Sequence, residues 1–196
     1  MRKLTYYVGA TVDGYIAAPD GSFDFLLSRY LTPDFLPHLI GEYPETLPTP
    51  ARAAFDVADA PNTRFDTVLM GRGTYQPGLD VGLTSPYAHL RQLVFSRSLG
   101  SSPDPAVEVT AEDPVTVVRR LKQQPGLGIW LCGGADLAGQ LADEVDELII
   151  KQYPMVAGAG IPLFRTGFGT RGFSLSGSRA FDNGTLVLTY TRTTDR

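Results

Sequence analysis

Gly128-Ile129-Trp130-Leu131-Cys132-Gly133-Gly134-Ala135-Asp136-Leu137 is the stretch that decides the fold. A short apolar run meets two glycines and then a small, helix-compatible segment, which predicts a buried strand, a tight turn and a helix from Ala135 to Ala142. Two other places share the design. Phe65 to Met70 predicts a buried strand that turns out through Gly71-Arg72-Gly73-Thr74-Tyr75, and Gln92 to Phe95 predicts a strand followed by Ser96-Arg97-Ser98. In open α/β sheets ligands bind beyond the carboxyl ends of the strands. Glycine lets backbone amides approach a phosphate, helix N-termini add unpaired N–H donors, and arginine grips phosphate bidentately.

Outward from these junctions the pattern alternates. Leu4 to Ala10 is rich in β-formers, Asp13-Gly14 makes a turn, and Tyr15 to Ala18 is a short extended piece. Helices are predicted after Asp24, with that carboxylate as a possible cap, from Thr32-Pro33-Asp34, and from Ala51 to Ala60. Val107 to Thr110 is a short strand, and Asp113-Pro114 opens a helix that ends before Pro125-Gly126. Glu147 to Tyr153 is a strand. After a Gly/Pro-rich loop, Phe173 to Ala180 and Leu186 to Thr193 form a closing hairpin turned by Asp182-Asn183-Gly184, where Asn-Gly favours positive φ. The whole is a mixed α/β sheet with helices on both faces, read as one unit over residues 1–196.

Composition narrows the function. A formal charge of -4 disfavours a general nucleic-acid or anionic-membrane surface. The lone Cys132 cannot form an internal disulfide, and His38 and His89 have no neighbouring ligand residues, so no metal site is expected. No run approaches the roughly 20 apolar residues of a membrane span, and the N-terminus lacks a secretory core, so the cytoplasm is the expected location.

Each phosphate signal has a plainer alternative. Gly133-Gly134 could serve strand–helix packing, and Arg72 and Arg97 could be surface ion-pair partners. Repetition at three strand ends is what points to a ligand with several phosphates. No G-x-G-x-x-G opens a helix after a strand. Gly9 to Gly14 has P-loop glycine spacing but places Tyr15 where lysine is required, and no G-x-S-x-G elbow is present. Cys132 reads as a small buried residue without a base partner, and Trp130 as packing.

The ordered set Thr11-Val12-Asp13-Gly14-Tyr15-Ile16-Ala17, Val68 to Tyr75, Val94 to Arg97, Cys132 to Leu137 and Pro154 to Phe164 resembles a known family. It is similar to the reductase domain of bifunctional riboflavin-biosynthesis deaminase/reductases and their stand-alone bacterial relatives, within the dihydrofolate-reductase-like superfamily. The resemblance covers nearly the whole chain. It implies a dihydrofolate-reductase-like α/β fold with about eight strands in the central sheet, and NADPH lying across the strand ends. It assigns Gly71, Arg72, Gly73 and Thr74 to the phosphate-holding turn, Ser96 and Arg97 to the adenosine ribose and its 2′-phosphate, and Gly133, Gly134, Ala135, Asp136 and Leu137 to the pyrophosphate. Val8, Ala10 and Ile16 match the strand and loop around the nicotinamide.

The implied activity is NADPH-dependent reduction of a small heterocyclic substrate, of the 5-amino-6-(5-phosphoribosylamino)uracil reductase type, by a homodimer. Two departures stand out: Gly73 occupies a place where dihydrofolate reductases often carry a longer residue, and the first helix differs. Dihydrofolate reductases carry a carboxylate inside it, and the nearest acid here, Asp24, stands at its start. Asp24 is the candidate catalytic residue, for substrate contact, with helix capping as its alternative. Arg29 and Arg179 could meet a substrate phosphate or simply be solvated. A dihydrofolate or pteridine reductase, a non-catalytic NADPH-binding module and a phosphotransferase are the competing readings.

Overall fold

The computed structural model describes residues 1–27 and 32–193. Its strands are β1 Leu4–Thr11, β2 Tyr15–Ala17, β3 Phe65–Gly71, β4 Arg91–Phe95, β5 Val107–Thr110, β6 Gly128–Gly133, β7 Glu147–Tyr153, β8 Ile161–Pro162, β9 Phe173–Ala180 and β10 Leu186–Arg192. Its helices are α1 Asp24–Leu27, α2 Phe35–Glu42, α3 Thr49–Ala54, α4 Arg72–Asp80, α5 Pro114–Lys122 and α6 Ala135–Gln140.

Eight strands form one sheet in the order β5-β4-β3-β6-β1-β7-β10-β9. The pairs from β5 to β7 are parallel, and β10 runs antiparallel to both β7 and β9. The expected mixed α/β, dihydrofolate-reductase-like sheet with its closing hairpin is therefore present. A parallel sheet must be covered on both faces, and two apolar cores do this. On one face Tyr7, Val68, Met70, Val94, Trp130 and Ile149 pack against Leu26 of α1 and Phe35 and Leu39 of α2. On the other, Leu4, Tyr6, Leu69, Leu93 and Leu131 pack against Val117, Val118 and Leu121 of α5 and Leu137 and Ala138 of α6.

Several expectations need correction. Gly71 to Tyr75 is no simple turn, because α4 starts at Arg72. Gly73, Pro77 and Gly78 have poor helix propensity, but Tyr75 is almost wholly buried and its hydroxyl donates to the Thr84 carbonyl, so packing overrides propensity. The helices expected at Ala51–Ala60 and Ala135–Ala142 are the shorter α3 and α6. Asp24 is the first residue of α1 and not a cap before it. α2 begins at Phe35, its first turn reaching back through the Leu36 N–H to the Thr32 carbonyl (3.1 Å). In the last hairpin Gly184 has φ +79° while Asn183 does not share it, and the Gly184 N–H closes the turn on the Phe181 carbonyl at 2.9 Å. Only the glycine adopts the left-handed conformation, unlike the two positive φ angles of an Asn-Gly type I′ turn.

Candidate active site

The three junctions meet. Adjacent parallel strands β4, β3 and β6 end on the same edge, with Gly71 opposite Phe95 and Met70 opposite Gly133. A Cβ on Gly71 would lie 3.4 Å from the Gly134 amide nitrogen and 3.8 Å from the Leu137 Cβ. The Thr74 Oγ1 sits beside both Gly133 and Gly134. One guanidinium nitrogen of Arg72 donates to the Ser98 hydroxyl at 2.6 Å, tying α4 to the loop after β4. In that loop Ser96 Oγ accepts from the Leu99 amide at 3.0 Å. The Gly133–Gly134 peptide is cis.

The electrostatics of this edge are positive. The caps of α4 and α6 are Gly71 and Gly134, neither with a side-chain hydrogen bond to the first helical amides. Those donors and the helix dipoles point outward. Arg64, Arg91, Arg119, Arg120, Arg165 and Arg171 all pair with carboxylates. Arg72 and Arg97 are exposed, and among the described residues neither has an acidic partner within 4.0 Å. Two unneutralised guanidinium groups beside two helix starts suit a polyanion.

Other candidates fall into place around that edge. Asp136 is exposed in the first turn of α6, and Arg165 holds its carboxylate at 3.1 Å. Ala135 and Leu137 turn their side chains into the core, leaving only backbone groups for a ligand. Val8 and Ala10 are buried on the side of α5 and α6, and Ile16 packs partly against the same core. Asp24 is exposed, while Leu26 of its helix reaches the opposite core. Arg179 lies over the Phe181 ring and bonds His38, away from the phosphate edge. Arg29 lies outside the described residues. His89 bonds the Glu45 carbonyl at 2.8 Å.

One feature escaped the sequence reading. β1 pairs with β6 only from Leu4 to Tyr6, then continues to Thr11 along β7 alone. The Ile129 N–H donates to the Lys3 carbonyl, and the same spacing would carry the Gly133 N–H to Tyr7. The Tyr7 carbonyl instead accepts the Trp130 indole N–H at 3.1 Å. The sheet thus splits between Tyr7 and Cys132, beside the glycine turn. Burial pushes the Cys132 thiol up to about 11, so it remains protonated near neutrality.

Asp13 secures the loop above the split. Its carboxylate accepts from the Thr11 hydroxyl (2.6 Å) and from the amides of Ala157 (3.1 Å) and Gly158 (2.7 Å). The hydroxyl, followed by those amides, lowers its pKa to about 2. β2 then pairs with β8, whose two residues lie inside the expected Gly/Pro-rich loop.

A model of the family described as the RibD C-terminal domain matches residues 2–187. The chain is 32% identical over 182 residues to the uncharacterized protein YwjB of Bacillus subtilis (strain 168), covering 92% of each. Among solved structures, a putative riboflavin biosynthesis protein from Shewanella sp. PV-4 superposes with a TM-score of 0.70 at 23% identity, over 98% of this chain and 99% of that one. A deaminase/5-amino-6-(5-phosphoribosylamino)uracil reductase from Thermotoga maritima gives a TM-score of 0.60 at 15% identity, over 98% of this chain and 57% of the other. Dihydrofolate reductase from Enterococcus faecalis, complexed with NADP(H) and RAB-propyl, gives 0.61 at 14% identity, over 97% and 96%. At these identities the structural likeness speaks for the fold.

Proposed function

The chain belongs to the RibD C-terminal domain family, and from that premise we propose that it is an NADPH-dependent reductase of a small heterocyclic substrate, of the 5-amino-6-(5-phosphoribosylamino)uracil reductase type. The observation that carries the cofactor reading is the convergence of Arg72, Arg97, the two glycine-capped helix starts and Thr74 on one strand edge. The residues fit a phosphorylated dinucleotide. In this reading Gly71, Arg72, Gly73 and Thr74 hold phosphate, Arg72 also reaches the 2′-phosphate that Ser96 and Arg97 meet, and the backbone from Gly133 to Leu137 cradles the pyrophosphate. Val8, Ala10 and Ile16 pack near the nicotinamide, beside the split.

When bound, NADPH supplies a hydride from C4 of its nicotinamide. The chain's part is to fix the acceptor carbon against that position and to exclude water. For an aminoriboside the hydride adds at C1′, the C1′–O4′ bond opens, and O4′ takes a proton. We assign Asp24 to substrate contact at this step. The buried aromatic wall of Tyr7, Tyr43 and Trp130 keeps the inner end dry.

Fluorescence titration with NADPH and NADH tests the cofactor reading, with NADPH expected to bind more tightly. Absence of binding by either removes it. Steady-state oxidation of NADPH with the ribosylaminopyrimidine phosphate, compared with dihydrofolate, then tests the substrate class. Asp24→Asn is expected to lower turnover more than about tenfold with NADPH affinity unchanged, and unaltered turnover would take Asp24 out of the site. The family and the fold suit a cytoplasmic enzyme, and among the described residues no helix is long and apolar enough to cross a membrane.

A further inference from the structure

Trp130 is the chain's one tryptophan, and packing alone does not account for it. It lies on β6 at 3% exposure, with the Tyr87 ring edge-on at 4.9 Å and the rings of Tyr7 and Phe65 at 6.3 Å and 6.5 Å. A phenylalanine would serve a purely apolar position, whereas a buried indole N–H needs an acceptor. Here that acceptor is the main-chain carbonyl of Tyr7, at 3.1 Å in a buried contact.

The Tyr7 carbonyl stands where the sheet divides. The last register pair between β1 and β6 is Tyr6 with Leu131, and the next stretch of β1 is carried by β7, with Val8 opposite Ile150 and Ala10 opposite Gln152. On its other side β6 stays with β3 through a register shift between Leu69 and Met70, which leaves Cys132 as the extra residue. Parallel strands of apolar residues tend to go on pairing, because each ladder bond satisfies a buried polar group. The indole takes the acceptor at which pairing of β1 with β6 would resume. Its ring is wedged among three others, so it cannot turn away without losing that packing.

We propose that Trp130 is a positioning residue of the cofactor groove: its indole N–H holds the Tyr7 carbonyl and so fixes the gap between β1 and β6 beside which the nicotinamide half of the dinucleotide lies. The inference rests on the reductase reading and goes beyond it, because it assigns the opening to one side-chain donor. Arg72 and Arg97 stand on other elements, at the start of α4 and in the loop after β4. The two halves of the cofactor therefore respond separately to loss of the indole N–H.

The test uses the full-length protein and two probes, NADPH and adenosine 2′,5′-bisphosphate, which carries the adenosine half without the nicotinamide. Replacing Trp130 by 3-benzothienylalanine puts sulfur in place of the N–H and keeps the bicyclic shape; Trp130→Phe is the second variant. By calorimetry both are expected to lose on the order of tenfold in NADPH affinity, the effect of one hydrogen bond, and to bind the bisphosphate as the wild type does. In the wild type, proton–nitrogen spectra should show an indole proton that resists exchange with solvent. Equal losses for the two nucleotides, unchanged NADPH affinity in the benzothienyl variant, or an indole proton that exchanges as fast as a free one overturns the proposal. Failure of the wild type to bind NADPH and the bisphosphate removes the underlying reductase reading, and is seen before any variant is compared.

Discussion

At the scale of single residues the site is a matter of unpaired charge. Arg72 donates to the neutral Ser98 hydroxyl and has no acidic partner within 4.0 Å among the described residues, so its charge remains available to an anion. Arg72→Ala is expected to weaken NADPH about tenfold more than NADH, since a charge-assisted hydrogen bond carries roughly 1.5–3 kcal/mol. Titration of both nucleotides checks this, and equal losses would refute a role at the 2′-phosphate. Asp13 makes a pH prediction. Its pKa is lowered to about 2 in the fold, so its stabilising contribution is complete above its ordinary value of 3.8 and disappears as pH falls through about 2. The amide signals of Ala157 and Gly158 should keep their protection at pH 4 and lose it near pH 2, and Asp13→Ala should abolish it at neutral pH. Cys132 predicts the opposite kind of behaviour. With its thiol pushed to about 11 from 9.0, the thiolate fraction at neutral pH falls about 100-fold. Alkylation by iodoacetamide should be slower than for a free thiol by at least that factor.

At the scale of elements, two helices are shaped by what crosses them. A Cβ at Gly139 in α6 would run into the Arg165 carbonyl, so the segment after β8 lies directly on the helix. From there the Arg165 N–H reaches the Ala135 carbonyl at 3.0 Å and its guanidinium reaches Asp136. Gly139→Ala should therefore displace this segment and lower stability by about 1–3 kcal/mol, the usual cost of overpacking, measured by urea unfolding. An unchanged midpoint would mean that the crossing yields easily. The other case is α4, whose propensity argued for a turn. Tyr75 and the hydroxyl's bonds to Thr84 and Ser102 anchor it, and these contacts are non-local in sequence.

At the scale of the molecule, the β9 edge of the sheet is the exposed one to consider for assembly. Seven of the eight residues of β9 are exposed. Beside it Leu175, Leu188, Tyr190 and Ile150 share a face that no helix covers among the described residues, as the register pairs Leu188 with Ile150 and Ser178, and Tyr190 with Leu175. An open edge next to apolar surface invites pairing. We expect the homodimer implied by the family resemblance to form here. Light scattering should give twice the 21.2 kDa chain mass, and Leu188→Lys should give monomers. A monomeric wild-type protein would sink this assignment.

The residues by themselves determined the strand-to-turn junctions, the mixed α/β class, and the arginines and glycines at the strand ends. Those signals are local, carried by periodicity and by residues with strong backbone preferences. Tertiary structure alone decided that three junctions share one edge, that β1 parts from β6 after Tyr6, and that Trp130 meets Tyr7 at the opening. The place and register of β1 arise from contacts between residues more than 100 positions apart, such as Gly9 with Lys151 and Tyr7 with Trp130. No local pattern encodes such pairs, because they follow from how the strands bury their faces together.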